Sequence, residues 1–375
     1  MAPRSMLCRA AVASAFVLAF MFAPGACGAR TVPGPPAADR IAIIAAERGA
    51  QGARLVAIDE RGDRQFELVQ PATGVVRDVN PAVSPDGRWL VFASSRGRPL
   101  DETSLWIAPL GVAVPPRRLT DGTAIDAHPA WAPDGRAIVF ASTRDGGGFD
   151  LWRLAIAGDQ PGELTRLTHG PGHEVTPAVA PDGTVIYAAV TPRGDRGEIE
   201  SHLEERAPDG AIRALTDGPA DSSPAVSPDG TRLVFARPQL HAGKPDSELW
   251  LLVRASGAIA PLVDLPLTDE SGPVWSRDGR FVFATSVLRG EQGRAVFSSI
   301  IQVDTREAPP VARILEDRVG ALVRLTPAVT ATPLDAAVLH GDPEYLPELA
   351  RIMARIIDQQ RQLPPEPPPD RAAPR

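Results

Sequence analysis

PAVSPDG, residues Pro81 to Gly87, returns as PAWAPDG from Pro129 to Gly135, PAVAPDG from Pro177 to Gly183, PAVSPDG from Pro224 to Gly230 and, altered, PVWSRDG from Pro273 to Gly279. The aspartates Asp86, Asp134, Asp182, Asp229 and Asp278 stand 48, 48, 47 and 49 residues apart. A constant period over five copies is the mark of a repeat protein. Within each copy, Pro presets φ, Asp bonds back to its own backbone and Gly takes the positive φ that closes a tight reversal. The pairs Asp86-Gly87, Asp134-Gly135, Asp182-Gly183, Asp229-Gly230 and Asp278-Gly279 therefore read as turn corners. A ring of metal-binding or catalytic carboxylates is the sharper reading, but the turn role accounts for all five at once.

The segments after the corners repeat as well. WLVFAS from Trp89, AIVFAS from Ala137, VIYAAV from Val185, RLVFAR from Arg232 and FVFATS from Phe281 are apolar runs with the length and composition of buried strands. A second run carries Leu-Trp, as in SLWIA at Ser104, DLWRL at Asp150 and ELWLL at Glu248, and a short segment ending in Leu-Thr closes the unit at Thr120, Thr168 and Thr216. With the Pro-Ala-Val segment as the innermost strand, each unit holds four strands of roughly six residues with connections of similar length. No crossover helix fits in that length. Twisted four-stranded sheets bury both faces only by stacking on their neighbours, and radial closure protects their edges. The expected fold is all-β: a β-propeller of four-stranded antiparallel blades.

This unit, followed by Ser-x-Arg at Ser94 to Arg96 and Ser142 to Arg144 and then by Leu-Trp, resembles the propeller repeat of TolB-like proteins over residues 40–330. The resemblance implies a non-enzymatic protein of the bacterial envelope that binds other proteins. The α/β domain that precedes the propeller in TolB itself has no counterpart here, which leaves the particular Tol partners without support.

The ring has to close. IAIIAAE from Ile41, RLVAIDE from Arg54 and QFELV from Gln65 make three strand-like runs without an inner strand, and Leu325-Thr326-Pro327-Ala328-Val329 repeats the Leu-Thr to Pro-Ala-Val passage at the far end. The segment around Pro327 is thus expected to supply the missing strand, giving six blades. Reading it as a loop would give five complete blades and one of three strands.

Outside the ring, Arg4 and Arg9 precede an apolar stretch, Ala10 to Ala23, that reaches Ala26-Cys27-Gly28. That is the form of an export signal, and its apolar run is too short for a spanning helix. Residues 1–26 are read as the signal, with Cys27 as the lipidated first residue of a bacterial lipoprotein, although Pro24 stands where that pattern has Leu. Ordinary cleavage nearby is the plainer alternative. The expected location is the periplasm or cell surface, with membrane attachment through Cys27. Cys8 and Cys27 are the only cysteines, so the propeller itself holds no disulfide. Residues 27–39 read as a Pro-rich tether and residues 331–363 as a short C-terminal helical segment, where Asp342 caps and Leu346, Leu349, Met353, Ile356 and Ile357 share a face. Residues 364–375 are a Pro-rich tail expected to be disordered.

Composition narrows the function. A net charge of −7 with 43% apolar residues describes one large acidic domain, which repels nucleic acid. There is no GxSxG elbow, HExxH or phosphate-binding glycine loop, so no enzyme class and no cofactor is indicated. Trp131, Trp275, Trp106, Trp152 and Trp250 are expected in the packing between blades. The only hint of a site lies in the segments that feed the inner strands, where Asn80, Asp126, His128, His173, Glu174 and Asp221 would gather at one mouth of the channel. Asp126, His128, His173 and Glu174 are the candidate metal ligands, and solvated loop residues are the bland reading of them. Three classes result: an envelope scaffold that binds an unidentified protein, a lactonase- or glycan-lyase-type propeller enzyme with a metal at the channel mouth, and a structural lipoprotein without a ligand. The first is preferred.

Overall fold

The structure, a computed structural model, describes residues 41–329 less residues 50–51, 60–63, 66–67, 70–73, 113, 194–197, 242–243, 264, 266–267, 290–294 and 320–326. The signal, the tether, the C-terminal helical segment and the Pro-rich tail lie outside the described residues, none of which is helical.

The chain opens with β1 (Ile41–Gly49), β2 (Gly52–Asp59), β3 (Arg64–Gln65), β4 (Val76–Val83), β5 (Trp89–Ser94), β6 (Ser104–Pro109) and β7 (Arg117–Arg118). A second sheet takes β8 (Asp126–Trp131), β9 (Ala137–Ser142), β10 (Asp150–Ala157) and β11 (Gln160–Arg166). The third takes β12 (His173–Val179), β13 (Val185–Arg193), β14 (Glu198–Arg206) and β15 (Ile212–Ala214). The fourth takes β16 (Ser222–Val226), β17 (Arg232–His241), β18 (Lys244–Val253) and β19 (Ala258–Val263). The fifth takes β20 (Thr268–Trp275), β21 (Phe281–Arg289), β22 (Ala295–Asp304) and β23 (Val311–Val319), and the last strand is β24 (Pro327–Val329).

The fold is an all-β propeller of four-stranded antiparallel blades. The sequence predicts six separate blades; the strands instead form five sheets. The reason is local. β2 and β4 pair in parallel at Gly52 with Val76 and Ala53 with Arg77, which merges β24-β1-β2-β3 with β4-β5-β6-β7 into one eight-stranded sheet. Only glycine permits that approach: Gly52 has φ of +109°, and a Cβ there would lie 2.0 Å from the Val76 carbonyl oxygen.

The innermost strands β4, β8, β12, β16, β20 and β24 touch one another in cyclic order, the eight-stranded sheet contributing β24 and β4. β24 pairs antiparallel with β1, Val329 opposite Ile43 and Pro327 opposite Ala45, so the last described residues and the first share one sheet. The inner strands are longer than Pro-Ala-Val alone, because those that lead into a corner begin several residues before its Pro.

Packing explains the continuous apolar runs. Successive residues of a strand point to opposite faces, and each sheet is covered on both. Leu90 and Phe92 pack toward Ile44, Leu55 and Ala57, while Val91 and Ala93 pack toward Ile138 and Phe140 on the next sheet. The same relation runs round the ring to the seam where Phe281, Phe283 and Ile300 meet Ile43, Ala45, Val56 and Ile58. That closing seam is also polar. Gln302 pairs with Phe283 and Thr285 with Ile300 across β21 and β22, so both share the seam-facing side, as does Ser298 opposite Val287. Thr285 Oγ1, Ser298 Oγ and both polar atoms of the Gln302 amide are buried without a hydrogen-bond partner. Each such group costs roughly 1–3 kcal/mol when left unpaired.

The corners are built alike. Ser84 Oγ donates to Asp86 Oδ1 (2.6 Å) and accepts the Trp89 N–H (2.9 Å), while Asp86 Oδ1 accepts the Arg88 N–H (3.0 Å). Asp134, Asp182, Asp229 and Asp278 accept the N–H of the residue two further on in the same way. Neighbouring corners touch, since Gly135, Gly230 and Gly279 lie against Pro85, Pro181 and Pro228 of the preceding unit. Where the collar lacks a corner, beside the two ends of the described chain, Arg277 Nη2 donates to the Pro85 carbonyl.

Candidate functional site

The inner strands line the axis, and every one that precedes a Pro-Asp-Gly-type corner carries the same device. The residue before the proline has positive φ: Asn80, His128 and Thr176 at 51°, Ser223 at 53° and Gly272 at 60°. At that point the register with the second strand slips, between Val79 and Ala82, Ala127 and Ala130, Val175 and Ala178, Ser222 and Ala225, and Ser271 and Val274. These are β-bulges, placed identically in five strands. Positive φ is a strained state for a β-branched residue such as Thr176, and strain of this kind persists only where the surroundings hold it.

The support lies two residues earlier. Asp78, Asp126, Glu174, Asp221 and Glu270 are all buried, each three positions before its proline. Asp78 accepts Ser94 Oγ (2.5 Å) and Arg96 Nη2 (2.6 Å); Asp126 accepts Ser142 Oγ (2.6 Å) and Arg144 Nη2 (2.8 Å). Asp221 takes a bidentate pair from Arg237, at 2.7 and 2.8 Å. The guanidinium of Arg144 also lies over Phe140 and Trp152, and that of Arg237 over Phe235 and Trp250, at 5.1 to 5.3 Å from the ring centroids. These three acids clasp the inner strand to the second strand through a charge-assisted bond, the stronger kind.

Glu174 and Glu270 bond to hydroxyls instead. Glu174 accepts Thr168 Oγ1 (3.0 Å), and Glu270 accepts Ser286 Oγ (2.9 Å) while its other oxygen is unbonded. Burial pushes the Glu270 carboxyl up to about 8 against the pull of Thr268 and Ser286, with Asp269 and Asp246 adding to the rise. Burial likewise raises Glu174, opposed by Thr168 and helped by Asp150 and Glu204.

The residues singled out from the sequence are dispersed. Asp126 is committed to Arg144. His128 sits on the bulge of β8, half-buried, with Nδ1 unbonded; burial and the Arg77 charge push its imidazole down to about 4. His173 Nδ1 accepts the Phe149 N–H (3.1 Å), and its ring is tilted against Phe149 at 6.2 Å. Glu174 turns to Thr168, Asp221 to Arg237, and Asn80 occupies the bulge of β4. Among the described residues no three or more His, Cys, Asp and Glu side chains gather to hold a metal ion. Trp131 Nε1 donates to the Ala82 carbonyl (3.1 Å) and Trp275 Nε1 to the Ala225 carbonyl (3.0 Å), so both tie one inner strand to the preceding one.

Asp78 and Glu270 escape the sequence reading, which looks for histidine neighbourhoods. Counting back three from Pro81, Pro129, Pro177, Pro224 and Pro273 finds all five acids at once.

The family model described as the TolB beta propeller domain matches residues 36–279. Among solved structures, TolB from Acinetobacter baumannii is similar with a TM-score of 0.60 and 18% identity over 77% of this chain and 66% of that one. A putative TolB from Agrobacterium tumefaciens gives 0.53 and 17% over 75% of this chain and 91% of that one. Kuenenia stuttgartiensis hydrazine synthase gives 0.57 and 14% over 78% and 47%. The chain thus spans just under two thirds of the Acinetobacter protein and about half of the Kuenenia one. At these identities the likeness is one of fold. No curated protein matches the sequence.

Proposed function

The chain belongs to the TolB β-propeller family, and on that premise we propose that it is a non-enzymatic scaffold that is exported, lipid-anchored through Cys27, and binds another protein of the bacterial envelope at the clasp end of its channel. One observation carries the reading. The acids that a hydrolase or lyase would direct at a substrate are turned into the sheets, where Asp78, Asp126 and Asp221 are consumed by Arg96, Arg144 and Arg237. What remains at the bulges is the fixed array of Asn80, His128, Thr176, Ser223 and Gly272, which suits recognition better than turnover.

A photo-crosslinking residue at exposed Asp121, in the loop feeding β8, tests this in the native envelope against the same residue at Asp134 on the opposite, corner end. One discrete partner captured from Asp121 and absent from Asp134 is the expected result. Equal background from both ends favours a structural lipoprotein without a ligand. Fatty-acid labelling that survives Cys27→Ser would refute the anchor.

A metal-dependent propeller enzyme is the second reading, favoured by the unbonded His128 Nδ1 on the bulge of β8 and the unbonded Thr176 Oγ1 on the equivalent bulge of β12. It predicts a stoichiometric ion in purified protein that is lost in His128→Ala.

A further inference from the structure

The blade β4 to β7 and the one after it, β8 to β11, are built alike and differ in where they place charge at the clasp end. The Leu105 N–H donates to Thr120 Oγ1 (3.0 Å) in one and the Leu151 N–H to Thr168 Oγ1 (2.8 Å) in the other, which fixes the equivalence. Ser104 thus stands where Asp150 stands, Arg118 where Arg166 stands and Gly122 where Gly170 stands. The turns before β6 and β10 match too: the Arg98 N–H bonds the Ser95 carbonyl as the Gly146 N–H bonds that of Thr143, so Gly97 takes the place of Asp145. In the later blade two carboxylates hold Arg166, whose Nη2 donates to Asp150 Oδ2 (2.9 Å) and Nη1 to Asp145. In the earlier one serine and glycine replace both, and Arg98 adds a second guanidinium where the later blade has Gly146.

The result is a cluster of donors without an acceptor. A Cβ on Gly122, whose φ is +82°, would meet Arg98 Nη1 at 3.0 Å, Arg118 Nη1 at 3.1 Å and Ser104 Oγ at 3.5 Å as its nearest atoms beyond its chain neighbours. The same point beside Gly170 is held by Glu174 Oε1, and beside Gly218, two residues after the matching Thr216, by both oxygens of Asp221. Ser104 is fully buried and its Oγ is unbonded, as are Nε and Nη1 of Arg98, whose Nη2 donates to Glu102 (2.7 Å). Arg118 makes no ion pair among the described residues, and it is exposed, so the position is open to solvent. The acids nearby in sequence are engaged elsewhere: Asp126 binds Arg144, and Asp121 Oδ1 accepts the N–H and Oγ1 of Thr123.

We propose that Arg98, Ser104 and Arg118, gathered at Gly122, form a binding site for a carboxylate carried by a ligand, which fills the place that the chain's own acids fill in the next two blades. Guanidinium forks match the geometry of a carboxylate and bond it with charge-assisted hydrogen bonds. Buried donors are costly when unpaired, and the anion pairs them. The site adjoins Asp121 at the clasp end but does not depend on the scaffold reading.

The test follows the side-chain Nε–H NMR signals of Arg98 and Arg118 in the purified full-length chain, assigned by their loss in Arg98→Lys and Arg118→Lys, during titration with sodium acetate. Both signals should shift saturably, and sodium chloride at the same ionic strength should leave them in place. Ser104→Asp restores the carboxylate of the neighbouring blade and should abolish the response by filling the site from within. Arg118→Gln, at an exposed position where folding is not at stake, should weaken acetate about tenfold as read on Arg98, the scale of one charged hydrogen bond. Arg166→Gln should leave acetate binding unchanged. A blocked tripeptide with a central glutamate separates the sources of the carboxylate: tighter binding than acetate assigns the site to an acidic protein segment, and binding no tighter assigns it to a small carboxylate. The proposal is overturned by a response that does not saturate, by phosphate shifting the signals where acetate does not, or by acetate binding that survives both Ser104→Asp and Arg118→Gln. None of these outcomes alters the crosslinking expected from Asp121, which reports a protein partner and not the anion.

Discussion

The inner strands fall into two groups that share a backbone and differ in charge. In β4, β8 and β16 the acid three before the proline is Asp, paired with Arg96, Arg144 or Arg237; in β12 and β20 it is Glu, bonded to a hydroxyl. Both groups make the same bulge and the same positive φ, so the bulge does not need the arginine. The arginine changes the proton. Where Ser286 or Thr168 stands in place of a guanidinium, burial drives the carboxyl toward its neutral form. One propeller therefore carries three ionic clasps and two protonatable ones at equivalent places.

The largest effect that would break this comparison is expected from Asp126→Ala, which leaves Arg144 buried without its counter-charge. Chemical denaturation should show a loss of about 3–5 kcal/mol. A loss no larger than that of Glu174→Ala would mean that the two groups are alike. Replacing Asp221 and Arg237 together by Leu and Met should cost far less than Asp221→Ala alone, since an apolar pair of similar volume often substitutes without loss.

Glu270→Gln sharpens the contrast through pH. The Glu270 carboxyl is raised from 4.5 to about 8 in the fold, so the native state holds a proton that the unfolded chain has released, and stability falls as pH rises through that window. Thermal melts of Glu270→Gln should lose that fall, with a gain above pH 8 of about 1–3 kcal/mol, the scale of one unpaired buried group. An unchanged slope would place the proton elsewhere. His128 works in the opposite sense: lowered from 6.5 to about 4, it stays neutral in the fold, and stability drops as pH falls across that range.

Smaller again is Trp131→Phe, which removes one bond to the Ala82 carbonyl and should cost about 1 kcal/mol. The smallest difference is a deliberate zero. Ser227 and Ser276 make the same corner bond to Asp229 and Asp278, one below an ionic clasp and the other below a protonatable one. Ser227→Ala and Ser276→Ala should therefore destabilise equally, each by roughly 0.5–1.5 kcal/mol. The Ser227 hydroxyl and the Thr231 N–H hold Asp229 near 2, so this corner contribution is lost as pH falls from 3.8 toward that value. Unequal losses would mean that the clasp and the corner of one strand are coupled.

Much of this architecture is readable from residues alone. The Pro-Asp-Gly period marks the corners, the Phe-Ala runs mark strands buried on both faces, and Pro327-Ala328-Val329 marks the strand that joins β1. Two features are not. The merging of the first strands into one sheet depends on a two-residue parallel contact at Gly52, and nothing in the repeat foretells a pairing between units. The clasps stay hidden because their partners lie 16 to 18 residues apart, in different strands, and meet only through the register. Histidine spacing draws attention to His128 and His173, which the fold sends to a bulge and to the Phe149 backbone.

The pairing of Val329 with Ile43, where no corner joins the two strands, has a consequence for how the gene can be rearranged. Beginning and end are arbitrary in such a ring. A chain cut open at Asp86 and Gly87, with a short loop spliced from Val329 to Ile41, would carry the strand pairings of the described residues under a new order of segments, and the break would simply have travelled one position round the axis.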